Sequence, residues 1–244
     1  MKTFIKNKNT ISEKDNLLIL TKNSNNLSIL NLDIREKNYI DSEFKKEVDV
    51  IKINQYARII IIINPKKNTD KNLYFEGVRC LAFKVFSEIK TLKTVIVQNL
   101  NNEVIETEAF VEGLALSNYD FDQFKTEKSK NKLETIFVYN HSDIKRLAEL
   151  EKLVEAVKLT RDLVNTPFSH LKAIDLAQSA KKAGIDAGFT TSIFTKKKIQ
   201  SLKMGGLLAV NQGSIDEPTF SILEWKPKNA KNKKPIILVG KGVV

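Results

Sequence analysis

Five consecutive isoleucines at residues 59–63 constrain the fold more than any other feature of this 244-residue sequence. A short, continuously apolar, β-branched run is typical of a strand that is buried on both faces of a sheet. Similar runs recur between stretches with apolar residues at helical spacing. The predicted strands are Leu17–Leu20, Arg58–Ile63, Thr94–Val97 and Ile136–Val138, and the predicted helices are Asn72–Lys90 and Glu103–Ser117. This alternation predicts a wound α/β sheet covered on both faces.

A long helix is predicted after the last of these strands. Apolar residues recur at spacings of three, four or seven from Leu147 to Val164, which places them on one helical face. Ser142 is expected to cap the helix, and Pro167 to end it, because the residue before a proline avoids the helical region. We predict an α/β domain at residues 1–141, a connecting helix at 142–166 and a second α/β domain at 167–244. The alternative is one more helix of a single domain.

The alternation of helices and strands resumes after Pro167. The predicted elements are a helix at Leu171–Ala187 ending at Gly188, a strand at Phe189–Phe194, a short helix at Lys196–Leu202, an extended segment after a glycine turn at Met204–Val210, and a strand at Phe220–Trp225. Pro235–Val239 is continuously apolar and is predicted to be a central strand buried on both faces. Because the sequence stops one step past this strand, the sheet is expected to be incomplete.

The charge balance raises nucleic acid as a partner. Forty basic residues against 29 acidic ones give a formal net charge of +11, a feature of many nucleic-acid-binding proteins. Only five of the 40 basic residues are arginine, the residue favoured for bidentate recognition of phosphates and bases. The lysine clusters at residues 125–132, 196–198 and 226–234 are scattered along the chain. Nucleic acid therefore stays an alternative partner and not the leading one.

The expected compartment is a reducing cytoplasm. No apolar run is long enough to cross a membrane, and the first residues carry no apolar signal-peptide core. The single cysteine, Cys80, excludes an intramolecular disulfide. Cys80 is predicted to be a small core residue on a helix, since free cysteines are usually buried.

Familiar catalytic motifs are absent from the sequence. It contains no Walker loop, no His-Glu-x-x-His motif and no Gly-x-Ser-x-Gly elbow. The two histidines, His141 and His170, fall in predicted loops without companion ligands. A surface or turn role is therefore favoured over metal binding, because a zinc site needs three or four ligands.

Four segments of the chain together resemble one family. They are Glu112–Gly113 with Tyr119–Thr126, Arg161–Pro167, Met204–Val210 with Gln212–Ser214, and Val239–Val243. In this order and at similar spacing they resemble the end of the amino-terminal domain and the opening of the catalytic domain of the leucyl (cytosol) aminopeptidases. The resemblance runs from about Leu73 to the end. Lys172–Ala173 departs from it, since the family often carries a second Thr-Pro there.

The resemblance implies both a fold and an activity. The fold would be a macro-like amino-terminal α/β domain, joined by the long helix to an incomplete α/β catalytic domain that starts at residue 167. The full-length protein would be a two-metal aminopeptidase that releases leucine and other apolar residues from peptides with a free amino terminus. Two divalent ions, manganese or zinc with magnesium as a further candidate, would activate the attacking water. The family also implies a cytoplasmic homo-hexamer.

Lys241 is the single residue to which the resemblance assigns metal contact. Its amine could ligate a divalent ion only in the neutral form, which requires burial and neighbouring cations. Its place just past the predicted strand at Pro235–Val239 is also where open α/β sheets put their sites. Met204–Ser214 is expected to form the wall beneath the site. In the family the residues after this point bring acidic ligands, a glycine-rich turn, a catalytic lysine and an arginine, so the chain alone is expected to be inactive.

Other interpretations stay open. The first domain could bind a nucleotide-like ligand, although no glycine loop suited to phosphate is visible there. The lysine-rich surface could bind nucleic acid, with a steep dependence on salt. Lys241 could be an exposed loop lysine, and the chain a non-enzymatic remnant.

Overall fold

The computed structural model describes residues 3–232 and 234–242, and the chain divides into two compact units, residues 1–160 and 161–244. The elements of the first unit are β1 (Phe4–Lys8), β2 (Leu17–Leu20), a 3-10 helix (Ser24–Ile29), α1 (Ile34–Lys45), β3 (Val50–Asn54), β4 (Ile59–Ile63), α2 (Lys71–Ile89), β5 (Thr94–Asn99), α3 (Val104–Ser117), β6 (Thr135–Tyr139) and α4 (Ile144–Asn165). The boundary between the units falls inside α4, whose role as a separate connector stays a prediction.

The first unit is built on a six-stranded sheet in the order β1-β6-β5-β2-β4-β3. All neighbouring strands are parallel except β3, which pairs antiparallel with β4. The wound α/β sheet predicted from the alternation of strands and helices is confirmed. None of the helices in the described part of the chain has both the length and the hydropathy that a membrane span requires.

Helices cover both faces of this sheet. Successive strand residues point to opposite faces, so Leu18 and Leu20 join the core formed with α2 and α3, while Leu17 and Ile19 join the core that contains Ile40 of α1. The isoleucines of β4 divide between the two cores in the same way, and residues 60–63 have no exposed surface. The prediction of a strand buried on both faces is confirmed.

Three elements at the margins of the sheet were not predicted from the sequence. They are the two edge strands β1 and β3, and the helix α1, which buries only Ile40. Edge strands and thinly buried helices have few apolar residues, so their hydrophobic periodicity is weak. The edge of β1 is covered, since the backbone N–H of Ile5 donates to Glu151 Oε2 of α4 at 2.7 Å.

Asp143 caps helix α4. The backbone N–H groups of Lys145 and Arg146 donate to Asp143 Oδ1 at 3.0 and 3.2 Å. The prediction of Ser142 as the cap was wrong by one residue. The helix begins at Ile144, and its first N–H groups lie within reach of the carboxylate directly before it.

Cys80 lies on the exposed side of α2 and not in the core as predicted. Val78, Leu81, Ala82 and Val85 define the buried stripe of this helix at spacings of three and four. Cys80 falls two residues after Val78 and therefore points away from that stripe. The position of Cys80 in the helical period therefore predicts its exposure better than the hydrophobic character of its thiol does.

The second unit contains α5 (Ala173–Ala187), β7 (Thr190–Phe194), α6 (Lys196–Ser201), α7 (Gly205–Asn211) and β8 (Phe220–Glu224). β7 and β8 form an antiparallel pair. Gly188 ends α5 in the left-handed conformation at φ 79°, as expected for a helix-ending glycine. The extended segment predicted at Met204–Val210 was wrong, because residues 205–211 are helical.

Candidate metal centre

The segment Pro235–Val239 does not form the predicted central strand. Residues 235–239 have no strand hydrogen bonding, and Ile236, Ile237, Leu238 and Val239 are 80, 75, 92 and 91% exposed. A strand exists only when a neighbour satisfies its backbone N–H and C=O groups. No described strand pairs with this segment, so its apolar side chains have no core to enter.

Lys241 follows this segment and is exposed. An ammonium in water is positively charged and does not ligate a divalent cation. Across residues 3–232 and 234–242, no group of three or more histidine, cysteine, aspartate or glutamate side chains could hold a metal ion. The described residues therefore do not by themselves fit a two-metal centre, and metal contact by Lys241 stays a prediction. Val243, part of the same motif, lies outside the described residues.

The histidines lie in turns. His141 precedes α4, and its buried ring places Nδ1 3.1 Å from the backbone N of Asp143 and 2.9 Å from its carbonyl oxygen. Its Nε2 lies 3.6 Å from Glu108 Oε1, and the other carboxylate oxygen of Glu108 pairs with Arg146 at 2.6 Å. His170 lies in the turn after α4, with its Nδ1 2.9 Å from Ser169 Oγ. Both positions agree with the predicted turn roles.

A cleft of about 280 Å³ opens in the second unit beside the start of α5. Its lining includes Lys172 and Asp216, which form an ion pair at 2.8 Å. The hydrogen bond to Asp216 raises the pKa of Lys172, so this amine stays protonated and cannot act as a base near neutral pH. Asn211 Nδ2, at the end of α7, donates to the Asp216 carbonyl at 2.9 Å. Asn211, within the motif segment Met204–Ser214, thus holds one residue of the cleft lining.

A buried carboxylate in the first unit was not predicted from the sequence. Glu106 in the first turn of α3 has no exposed surface. Its partners are Lys22, Tyr74, Asn99 and Asn101, which come from the segment after β2, from α2, and from the end of β5 and the turn after it. Only the fold brings these segments together, so no local spacing in the sequence signals the cluster.

Comparisons with known proteins find similarity in both units of the chain. Residues 158–244 match the cytosol aminopeptidase family, catalytic domain. A protein of Sulfurihydrogenibium sp. described as a probable cytosol aminopeptidase is 34% identical over 205 residues, which is 80% of this chain and 39% of the relative. A mutant of tomato leucine aminopeptidase has a TM-score of 0.69 at 18% identity, covering 96% of this chain and 52% of that one. A bottromycin maturation enzyme in complex with Mn has a TM-score of 0.68 at 17% identity, covering 88% and 46%.

The fold is thus the α/β fold of the leucine aminopeptidases. The chain is similar to the cytosol aminopeptidases, the family that the four motif segments predicted. It spans less than half of the length of curated relatives that it matches, 16% of one from Chlorobaculum parvum and 39% of the one from Sulfurihydrogenibium sp.. The match to the catalytic domain starts within α4, at residue 158.

Proposed function

We propose that this chain is part of a metal-dependent aminopeptidase, which removes residues from the amino terminus of peptides. The observation that carries the proposal is the match of residues 158–244 to the catalytic domain of the cytosol aminopeptidases. The relative that is 34% identical over 205 residues extends this support into the first unit. The chain contributes the amino-terminal unit and the opening of the catalytic domain.

The finer features of the proposal follow the family resemblance. The substrates are peptides with a free amino terminus, with leucine and other apolar residues favoured at that position. The cofactors are two divalent ions, manganese or zinc, with magnesium as a further candidate, and the manganese-bound structural relative supports the first. The proposed assembly is a cytoplasmic homo-hexamer. When bound, the metals would supply Lewis acidity and an activated water.

Lys241 is the proposed metal contact in the complete protein. An exposed amine cannot serve this role, so the remainder of the catalytic domain must bury it and bring further ligands. The exposed apolar run at 236–239 supports this view, because four adjacent apolar side chains at 75–92% exposure are unfavourable in water. We propose that strands from the rest of the catalytic domain pair with this run and enclose Lys241.

The chain alone is expected to show no aminopeptidase activity. Hydrolysis of leucine 4-nitroanilide, followed by absorbance with added Mn²⁺, should not exceed the rate in buffer with Mn²⁺. The physical reason is that the described residues include no group of three or more histidine, cysteine, aspartate or glutamate side chains that could hold a metal ion. Turnover that requires the metal and disappears with a chelator would contradict this prediction.

A chimera tests the activity itself. This chain is joined to the remaining catalytic domain of the Sulfurihydrogenibium relative, with the junction after Val244. We expect metal-dependent release of leucine from peptides, and slower release from peptides with a charged first residue. A folded chimera that binds divalent metal but releases no amino acid from any peptide would contradict the proposed function.

A further inference from the structure

The sheet of the first unit reverses its winding between β2 and β5. From β2 the chain proceeds to β3 and β4 at one edge, and from β5 it proceeds to β6 toward the other edge. In open α/β sheets, ligands bind outside the carboxyl ends of the strands at such a switch point. The segments that leave β2 and β5 here carry Lys22 and Asn101, and the Lys22 N–H donates to Asn101 Oδ1 at 3.0 Å. We call this region the switch-point crevice.

The carboxylate of Glu106 fills the switch-point crevice. Asn99 Nδ2 and Asn101 Nδ2 each donate to Glu106 Oε2 at 3.0 Å. The Tyr74 hydroxyl donates to Oε1, and Lys22 Nζ lies 3.5 Å from the same oxygen. With no exposed surface and donors on both oxygens, Glu106 is held as a bound anion would be.

The electrostatics of the crevice also suit an anion. Glu106 lies in the first turn of α3, whose preceding residue Glu103 makes no capping side-chain hydrogen bond. Glu106 thus lies at the positive end of the helix dipole, where a negative charge is favourable. Burial, together with the neighbouring Glu106 carboxylate, raises the pKa of Tyr74, so its hydroxyl remains a donor. The ammonium of Lys22 lies 4.8 Å from the centre of the Tyr74 ring.

We propose that Glu106 is a built-in ligand of the first unit. Its carboxylate takes the position that a phosphate group would occupy in a crevice formed by a lysine, two asparagine amides and a helix amino terminus. The charge of Lys22 is neutralised internally, and the crevice admits no second anion. The first unit consequently does not bind nucleotide-like ligands and serves as a scaffold. This inference is independent of the proposed peptidase activity.

Glu106→Ala removes the internal anion and tests the proposal. Glu103→Ala is the matched control, since it deletes an exposed carboxylate three residues earlier. Thermal unfolding is measured in inorganic phosphate and in sodium chloride at equal ionic strength. We expect phosphate to stabilise Glu106→Ala specifically, and phosphate at ten times its dissociation constant would favour folding by about 11-fold. The wild-type chain and Glu103→Ala should show no such difference.

A double variant and a binding measurement on the wild-type chain complete the test. Glu106→Ala combined with Lys22→Ala should lose the phosphate response, because the cation that attracts the anion is gone. If Glu106→Ala is unfolded in sodium chloride, it has no melting temperature to compare. The fraction of the variant that folds when phosphate is added is then measured instead, and recovery of folding supports the proposal. Calorimetry of the wild-type chain with phosphate and with ADP-ribose should show no binding. Binding of either ligand by the wild-type chain, or a Glu106→Ala variant that does not respond to phosphate in any readout, would overturn the proposal.

Discussion

Lys241→Ala, introduced into the chimera with a complete catalytic domain, is expected to lower kcat/KM for leucyl peptides by at least about 100-fold. Loss of a residue that merely orients a metal ligand already costs about 10- to 100-fold in affinity or activity. A direct ligand should cost no less. The same variant should weaken Mn²⁺ binding, measured by calorimetry on the metal-free protein. This second readout separates a ligand from a residue that only contacts substrate.

Lys234→Ala is the control for this experiment. Lys234 is an exposed lysine just before the same apolar run, so its replacement removes an equal charge from the same region. Its activity and Mn²⁺ affinity should match those of the unaltered chimera. If Lys241→Ala and Lys234→Ala behave alike, Lys241 is an ordinary surface lysine, and the role implied by the family resemblance does not apply to it.

The centre of the first unit could be predicted from sequence because its strands are buried on both faces. Leu17–Leu20 and Ile59–Ile63 are continuously apolar. Short runs of this kind, separated by segments with apolar residues at helical spacing, are typical of the central strands of an α/β sheet. The edge strand Phe4–Lys8 has only two apolar residues among its five and gives no comparable signal. Its structure is determined by pairing with β6, a contact across more than 120 residues.

In the second unit, by contrast, two sequence patterns predicted the wrong local structure. Pro235–Val239 has the composition of a central strand, yet its side chains are exposed because a strand also requires neighbours. Met204–Val210 was predicted to extend after its glycines, but Leu207, Leu208 and Ala209 are good helix formers and continue α7. In both segments the pattern of apolar residues was compatible with two structures; helix propensity decided the second segment, and the lack of a pairing strand among the described residues decided the first.

The two candidate sites differ in how they can be recognised. Lys241 was found because a short motif resembles a family, and its geometry in the described residues is that of an exposed lysine. The Glu106 cluster has well-defined geometry, but its members come from separate elements of the fold, and an asparagine in a turn is too common to indicate a site. Switch-point crevices can be located once strand order is known. Strand order is the property that the sequence patterns did not provide.

Helices α2 and α3 lie in close contact at Gly113. A β-carbon placed on Gly113 would lie 2.7 Å from the carbonyl oxygen of Arg79 and 2.8 Å from its α-carbon. Both are backbone atoms of α2, so no side-chain rotation can relieve the contact. The carboxylate of the adjacent Glu112 forms an ion pair with Arg79 at 2.9 Å. The Glu112–Gly113 motif thus joins α3 to α2.

Gly113→Leu is therefore expected to destabilise the first unit by at least about 3 kcal/mol, since overpacking by one or two methylenes typically costs about 1–3 kcal/mol. Gly77→Leu, on the same pair of helices, is the matched control. A β-carbon there meets no atom within 4 Å, so leucine should stabilise α2 by up to about 0.8 kcal/mol.

The measurement is hydrogen exchange at the buried amides of Leu18 and Leu20, which report global opening. Exchange should be more than about 100-fold faster in Gly113→Leu and no faster in Gly77→Leu. Equal protection in the two variants would show that the helices can separate without loss of stability.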